Sequence, residues 1–99
     1  MHYEVFQIDG AIQLNIEGKL DATSGNAFQA LVLKSLSKCR NLVIDFEKVT
    51  YMSSAGVRAL VLGLKTAESK GGSLTVLSPQ PQVKEVFKYS GLEKIMEIK

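Results

Sequence analysis

Thr50-Tyr51-Met52-Ser53-Ser54-Ala55-Gly56-Val57-Arg58-Ala59-Leu60, with Leu42-Val43-Ile44-Asp45-Phe46 just ahead of it, decides how this chain folds. Leu42 to Phe46 is an apolar run of the length of a buried strand. After the quoted stretch begins, Val57, Leu60, Val61 and Leu64 recur at the spacing of one helix face. The two together read as a strand crossing over into a helix, with two hydroxyls and a glycine at the helix start. Ser53 or Ser54 suits the cap position, because a serine oxygen accepts a bond from an unpaired first-turn N–H. The other hydroxyl then sits at the positive end of the helix, where a phosphate costs little electrostatically. A serine pair that only caps is the plain alternative, and the turn alone does not separate the two.

Working outward toward the N-terminus, Leu42 to Phe46 is apolar except for Asp45, which predicts a strand covered on both faces. Asp45 then falls near the carboxyl end of that strand, where open α/β sheets place ligand and partner sites. The alternative is a carboxylate bonded to nearby backbone N–H groups. A helix is expected to precede the strand, running to about Lys38, with Phe28, Leu31, Val32, Leu36 and Cys39 inward. Asp21, Thr23 and Ser24 are its candidate caps. Asp21 reads equally as an acidic residue held close to the Ser53-Ser54 turn. Ahead of it, Ile12, Leu14 and Ile16 alternate with Gln13, Asn15 and Glu17, a strand with one polar face. Asp9-Gly10 joins this strand to Tyr3, Val5 and Ile8 through a tight hairpin turn, both of whose positions tolerate φ > 0.

Toward the C-terminus the crossover helix is expected from about Ser54 to Lys70, where Gly71-Gly72 stops it. Gly56 and Gly63 lie inside it, each costing about 1 kcal/mol relative to alanine at an interior position. Gly56 leaves room either for a partner near Ser54 or for close helix–strand packing. Leu62 falls off the inward stripe; it reads either as an isolated exposed leucine, which needs no explanation, or, beside Arg58, as part of a docking surface. Ser73 to Leu77 reads as a strand. Pro81 is placed to start a helix with Val83, Val86, Phe87 and Ser90 on one face, and Gly91 ends it. Ile95 to Ile98 reads as a last strand. The order β-β-α-β-α-β-α-β predicts an α/β fold: a mixed sheet of parallel strands with an antiparallel N-terminal hairpin edge, and helices packed on the sheet.

Composition bounds what such a fold can do. The 99 residues are 45% hydrophobic and 22% charged, with a formal net charge of +2. One domain spanning residues 1–99 is expected, able to form a core without disulfides or metal. The lysines are dispersed, so no nucleic-acid footprint is visible. The single cysteine, Cys39, cannot form an internal disulfide and accords with a reducing cytoplasm. No run approaches the roughly 18 apolar residues of a spanning helix, and no leader pattern precedes the first strand. A soluble cytoplasmic protein is expected. The only histidine is His2, no His/Cys cluster has metal spacing, and no phosphate loop or dinucleotide fingerprint occurs. Met52 to Gly56 lacks the first glycine of a nucleophile elbow, and a nucleophilic serine would lack its base. No catalytic residue, metal or cofactor is assigned, and an enzyme is not expected.

The chain resembles the STAS domain family, in particular its small single-domain bacterial anti-sigma factor antagonists. The resemblance runs nearly end to end. It is carried by Glu17-Gly18-Lys19-Leu20-Asp21, by Leu42 to Phe46 with Val49 to Val57, by Gly71-Gly72-Ser73-Leu74, and by Val86-Phe87 with Ser90-Gly91-Leu92. It implies a regulatory protein that binds an anti-sigma factor acting as serine kinase, in a partner-switching pathway, with a serine phosphatase restoring the active form. Ser54 matches the phosphorylated serine, Gly56 the glycine two places on, and Asp21 the aspartate of the Gly-x-Leu-Asp loop. Ser53 stands where the family usually has aspartate, and is the second choice for the modified residue. The partner surface implied is Asp21, Thr23, Ser53, Ser54, Gly56, Val57, Arg58 and Leu62. No nucleic acid and no membrane insertion are implied, and a monomer or weak dimer is expected. Two other readings stay open: a constitutive STAS interaction module, in a scaffold or transport complex, without a phosphoswitch, and a small-molecule or nucleotide sensor using the helix start near Asp21 and Asp45.

Overall fold

Five strands and three helices follow one another in the computed structural model, which describes residues Met1 to Lys99. They are β1 (His2–Ile8), β2 (Ala11–Leu20), α1 (Gly25–Leu36), β3 (Asn41–Met52), α2 (Ser54–Ser69), β4 (Ser73–Leu77), α3 (Pro81–Ser90) and β5 (Glu97–Ile98), with a short 3-10 turn at Leu92–Lys94 before β5. The strands lie side by side in sequence order. β1 pairs with β2 antiparallel, and every later pair is parallel. The mixed sheet with an antiparallel hairpin edge is therefore as the alternation predicts.

The three parallel crossovers all step in one direction across the sheet. A common right hand then places α1, α2 and α3 on the same face. Burial agrees with this. Ile12, Leu14 and Ile16 on β2, Leu42, Ile44 and Phe46 on β3, and Leu74 and Val76 on β4 are all buried on that face. Phe46 joins the layers: its ring centroid is 6.2 Å from Phe28 on α1 and 5.8 Å from Phe87 on α3. The opposite face, with Gln13, Asn15, Val43, Asp45 and Thr75, stays half-exposed. The expectation that β3 is covered on both faces is thus corrected. Its outward row is short enough in side chain, and polar enough at Asp45, to face water without a second helix layer.

β3 is also longer than the apolar run suggests. It continues through Glu47, Lys48, Thr50 and Tyr51 to Met52, pairing all the way with β2. β4 accompanies it only as far as Asp45, opposite Leu77. Beyond that point the free edge of β3 is covered by two side chains. Gln80 Nε2 donates to the Glu47 carbonyl at 2.7 Å, and Gln82 Nε2 to the Thr50 carbonyl at 3.1 Å. They satisfy carbonyls that a missing strand would otherwise take.

Three smaller expectations change. The Asp9-Gly10 turn has φ > 0 at Gly10 only, so it is not the turn with both central residues left-handed. Ser90 is exposed and binds the Phe87 carbonyl through its hydroxyl rather than facing inward with Val83 and Phe87. The last strand shrinks to Glu97–Ile98, because Met96 is buried and Ile95 projects outward from the preceding turn. At the end of α2 the glycine stop is as expected. Gly72 N–H donates to the Ala67 carbonyl and Gly71 N–H to that of Glu68, the Schellman pattern. Gly72 is further required because a Cβ there would sit on the Arg40 carbonyl oxygen.

Candidate functional site

The site is built where the ends of β2 and β3 meet the starts of α1 and α2. Leu20 and Met52, the last residues of β2 and β3, are sheet partners. One residue on, Ser53 N–H donates to the Leu20 carbonyl at 2.8 Å, tying the crossover to the loop that leaves β2. Ser53 is extended (φ −97°, ψ −178°), and its Oγ accepts from Ala55 N–H at 3.2 Å. Its carbonyl takes Gly56 N–H at 3.0 Å and Val57 N–H at 3.2 Å. Ser53 is therefore the cap. Ser54 is the first residue of α2, and it is exposed. The two serines, interchangeable in the bare turn, have different surroundings.

Asp21 organises the neighbouring loop. Its Oδ1 accepts from the Thr23 hydroxyl at 2.7 Å, from Thr23 N–H at 3.0 Å and from Ser24 N–H at 3.2 Å. Its carbonyl accepts Gly25 N–H at 2.8 Å. Of the three candidate caps, Ser24 occupies the cap position of α1 but makes no side-chain cap bond there. Its hydroxyl instead donates to the Lys19 carbonyl at 2.7 Å. The carboxylate of Asp21 does the work of closing the turn. The Thr23 hydroxyl first, and then the Ser24 N–H, hold its carboxyl down at about 2. Donors aimed at the charged form favour that form. Asp21 is thus a charged turn-closing residue lying next in sequence to the Leu20 carbonyl that Ser53 binds.

Glycines bring these pieces together. A Cβ on Gly25 would lie 2.6 Å from the Ala55 Cβ, so the first turns of α1 and α2 touch. A Cβ on Gly56 would lie 2.6 Å from Met52 Cγ and 3.3 Å from Leu20 Cβ. Gly56 is buried, and this settles its two readings in favour of helix–strand packing. It sets the shape of the surface without being part of it. Val57 is half-buried against the core. Arg58 and Leu62 are exposed, Leu62 at 38%. Ser54, Arg58 and Leu62 stand four residues apart and so form one line along the solvent face of α2. Thr23 is exposed on the loop held by Asp21, two residues before the Gly25 that packs on Ala55.

Asp45 does not join this group. It is the fifth residue of the twelve in β3, about 20 Å along the strand from Met52 at ordinary strand rise. Its Oδ1 accepts Glu47 N–H at 2.8 Å, the local backbone role weighed for it. It lines a separate open cleft of about 390 Å³ on the uncovered sheet face, with Glu4, Asn15, Glu17 and Lys48 among its neighbours. A ligand at the α2 start would not reach it. Cys39 is half-buried, and burial raises its thiol pKa. No group of three His, Cys, Asp or Glu side chains is arranged to hold a metal ion. No helix is long and apolar enough to cross a membrane.

Gly25, Gln80 and Gln82 were not singled out from the sequence. Gly25 had a signal: a glycine directly after a run of capping residues, where alanine would be the better helix former. The glutamines had none, since they act on carbonyls some thirty residues away.

With this geometry in hand, the STAS domain model matches residues 2–99. The chain belongs to the STAS domain family. It is 28% identical over 98 residues to the anti-sigma-B factor antagonist of Bacillus subtilis, covering 99% of this chain and 90% of that one. Among solved structures, the anti-sigma factor antagonist SpoIIAA in its unphosphorylated form aligns with a TM-score of 0.85 at 22% identity, over 99% of this chain and 88% of that one. The phosphorylated form of the Bacillus cell fate determinant SpoIIAA aligns at 0.76 and 21% identity, over 99% and 91%. These structural likenesses show a shared fold.

Proposed function

We propose that this protein is an anti-sigma factor antagonist: it binds an anti-sigma factor that is also a serine kinase, and phosphorylation of Ser54 releases it. The observation that carries this reading is the division of labour between the two serines. Ser53 is consumed as the cap, while Ser54 is exposed at the first helical position. The kinase transfers the γ-phosphoryl group of ATP to Ser54 Oγ, ADP leaves, and the hydroxyl proton goes to solvent. The product carries about −1.5 to −2 charges at neutral pH. The helix start tolerates them, but a partner surface packed against Thr23, Ser54, Arg58 and Leu62 does not. A switch needs this difference between the complex and the free protein. A serine phosphatase resets the system, and the protein itself acts without catalysis.

The test is titration of purified variants against the cognate anti-sigma kinase. Ser54→Ala is expected to bind as the parent does, and Ser54→Asp at least about tenfold more weakly, a difference of about 1.4 kcal/mol. Equal affinity for both variants overturns the phosphoswitch. A second reading, a constitutive interaction module, is favoured by Ser53 itself, which puts a neutral side chain where the resembled family has a carboxylate. A kinase reaction that leaves both Ser53 and Ser54 unmodified selects it.

A further inference from the structure

The first turn of α2 has little left to offer a phosphate. Of its leading N–H groups, Ala55 is taken by Ser53 Oγ, and Gly56 and Val57 are taken by the Ser53 carbonyl. A phosphoryl group on Ser54 therefore meets a positive helix end with those three backbone donors already engaged. Nearby, Asp21 is held firmly in its charged form by its own turn, and adds repulsion rather than relief. The helix end still favours the charge, but further donors to the phosphate oxygens have to come from a side chain.

One cation is placed to meet it. Arg58 lies four residues beyond Ser54 on the exposed line of α2. Residues at this spacing have Cβ atoms about 5–6 Å apart. Helical side chains lean toward the N-terminus, which puts Ser54 within reach of the Arg58 guanidinium. The anion-before-cation order is the favourable one for such pairs. Arg58 is also free: the single ion pair of the molecule joins Lys99 and Glu97. Lys19 is close in the sheet but follows the opposite parity from buried Leu20, and so points to the uncovered face. The next cation along α2, Lys65, is three turns from Ser54.

We propose that Arg58 captures the phosphate of phosphorylated Ser54 within the same helix, and so is withdrawn from the docking surface when the switch is set. This rests on the modification of Ser54 proposed above. It adds that the switch has two residues. The unmodified protein presents a free guanidinium beside a hydroxyl; the modified one presents a phosphate–guanidinium pair, and both features the partner reads are altered by one covalent change. The planar fork of arginine suits a phosphate in a way an ammonium does not.

The experiment installs phosphoserine at position 54 during translation, so that no kinase is needed. The phosphate's second ionisation, ordinarily near pH 6, is then followed by phosphorus NMR. An adjacent cation favours the dianion, so the phosphate is expected to titrate at least about 0.3 pH units lower in the parent than in Arg58→Gln. The gap is expected to narrow in 1 M salt. Arg58→Lys is expected to fall between the two. Unmodified Arg58→Gln is expected to melt within about 2 °C of the parent, since an exposed, unpaired side chain supports little of the fold. Identical titrations of the parent and Arg58→Gln overturn the proposal, as does an equal shift produced by Lys19→Gln. Because the phosphate is supplied directly, a chain that no kinase modifies still answers this question, and the two readings fail separately.

Discussion

At Asp21 a single carboxylate oxygen takes three donors from Thr23 and Ser24, two and three residues on. The consequence is a pH dependence whose sign follows from the direction of the shift. The carboxyl titrates at about 2 in the folded chain, against an ordinary value near 3.9 in the unfolded one. The unfolded state therefore binds this proton first as pH falls. The stabilisation is complete above about pH 4 and is lost as pH drops toward 2. Asp21→Asn keeps the shape and removes the titration. Urea unfolding of parent and variant is expected to differ at pH 7 and to converge near pH 2. A gap that is constant with pH would assign the side chain's contribution to shape alone. Ser53 and Ser54 give the complementary lesson. The helical period beginning at Val57 fixed where α2 starts, so both hydroxyls were visible in the sequence as one cap and one free group. Their order needed the register of the whole crossover.

Among the elements, α1 and α2 meet through missing side chains. Gly25 faces Ala55, and Gly63 leaves room for Val32 Cγ1, which would be 2.6 Å from a Cβ there. Gly25→Ala sets two Cβ atoms against each other with no flexible chain to yield. A cost of about 1–3 kcal/mol is expected from overpacking, readable as a lower urea midpoint with an unchanged m-value. This requirement was invisible locally, because it comes from a residue thirty positions later. β3 shows a different kind of blindness. Its first half reads cleanly, with Leu42, Ile44 and Phe46 two apart. Its second half buries Phe46, Val49 and Met52 three apart, because the pairing with β2 shifts register between Asn15 and Glu17 and again between Gly18 and Lys19. A period of two is therefore not there to be found, and the apolar run ends six residues before the strand does. Ending the strand at Phe46 puts Asp45 at a strand end and toward the start of α2, whereas it lies mid-strand.

For the molecule as a whole, the element order is legible in the sequence, but the side-by-side order of the strands is not; it is that order, seen in the structure, that places all three helices on one face. A single apolar layer then carries the stability. Phe46 is at its middle, between Phe28 and Phe87, and is fully buried. Phe46→Ala is expected to cost about 3–5 kcal/mol, a large fraction of what a domain of this size has. Thermal unfolding followed by circular dichroism checks this, and a shift of only a few degrees would mean that the layer closes over the gap. The uncovered face was not anticipated, since an apolar strand with one acid gives no sign of which row lacks a roof.

The glutamine cover on β3 has one more consequence. Past Asp45 the strand is a ledge: paired with β2 on one side, and with no strand on the other as it approaches the start of α2. Gln80 and Gln82 occupy the Glu47 and Thr50 carbonyls there, so an extended peptide cannot zip onto that ledge without first evicting both amides. If the proposed docking at Ser54 holds, strand addition along this edge is not its mode, and a partner would have to read the tip of a helix by shape and charge.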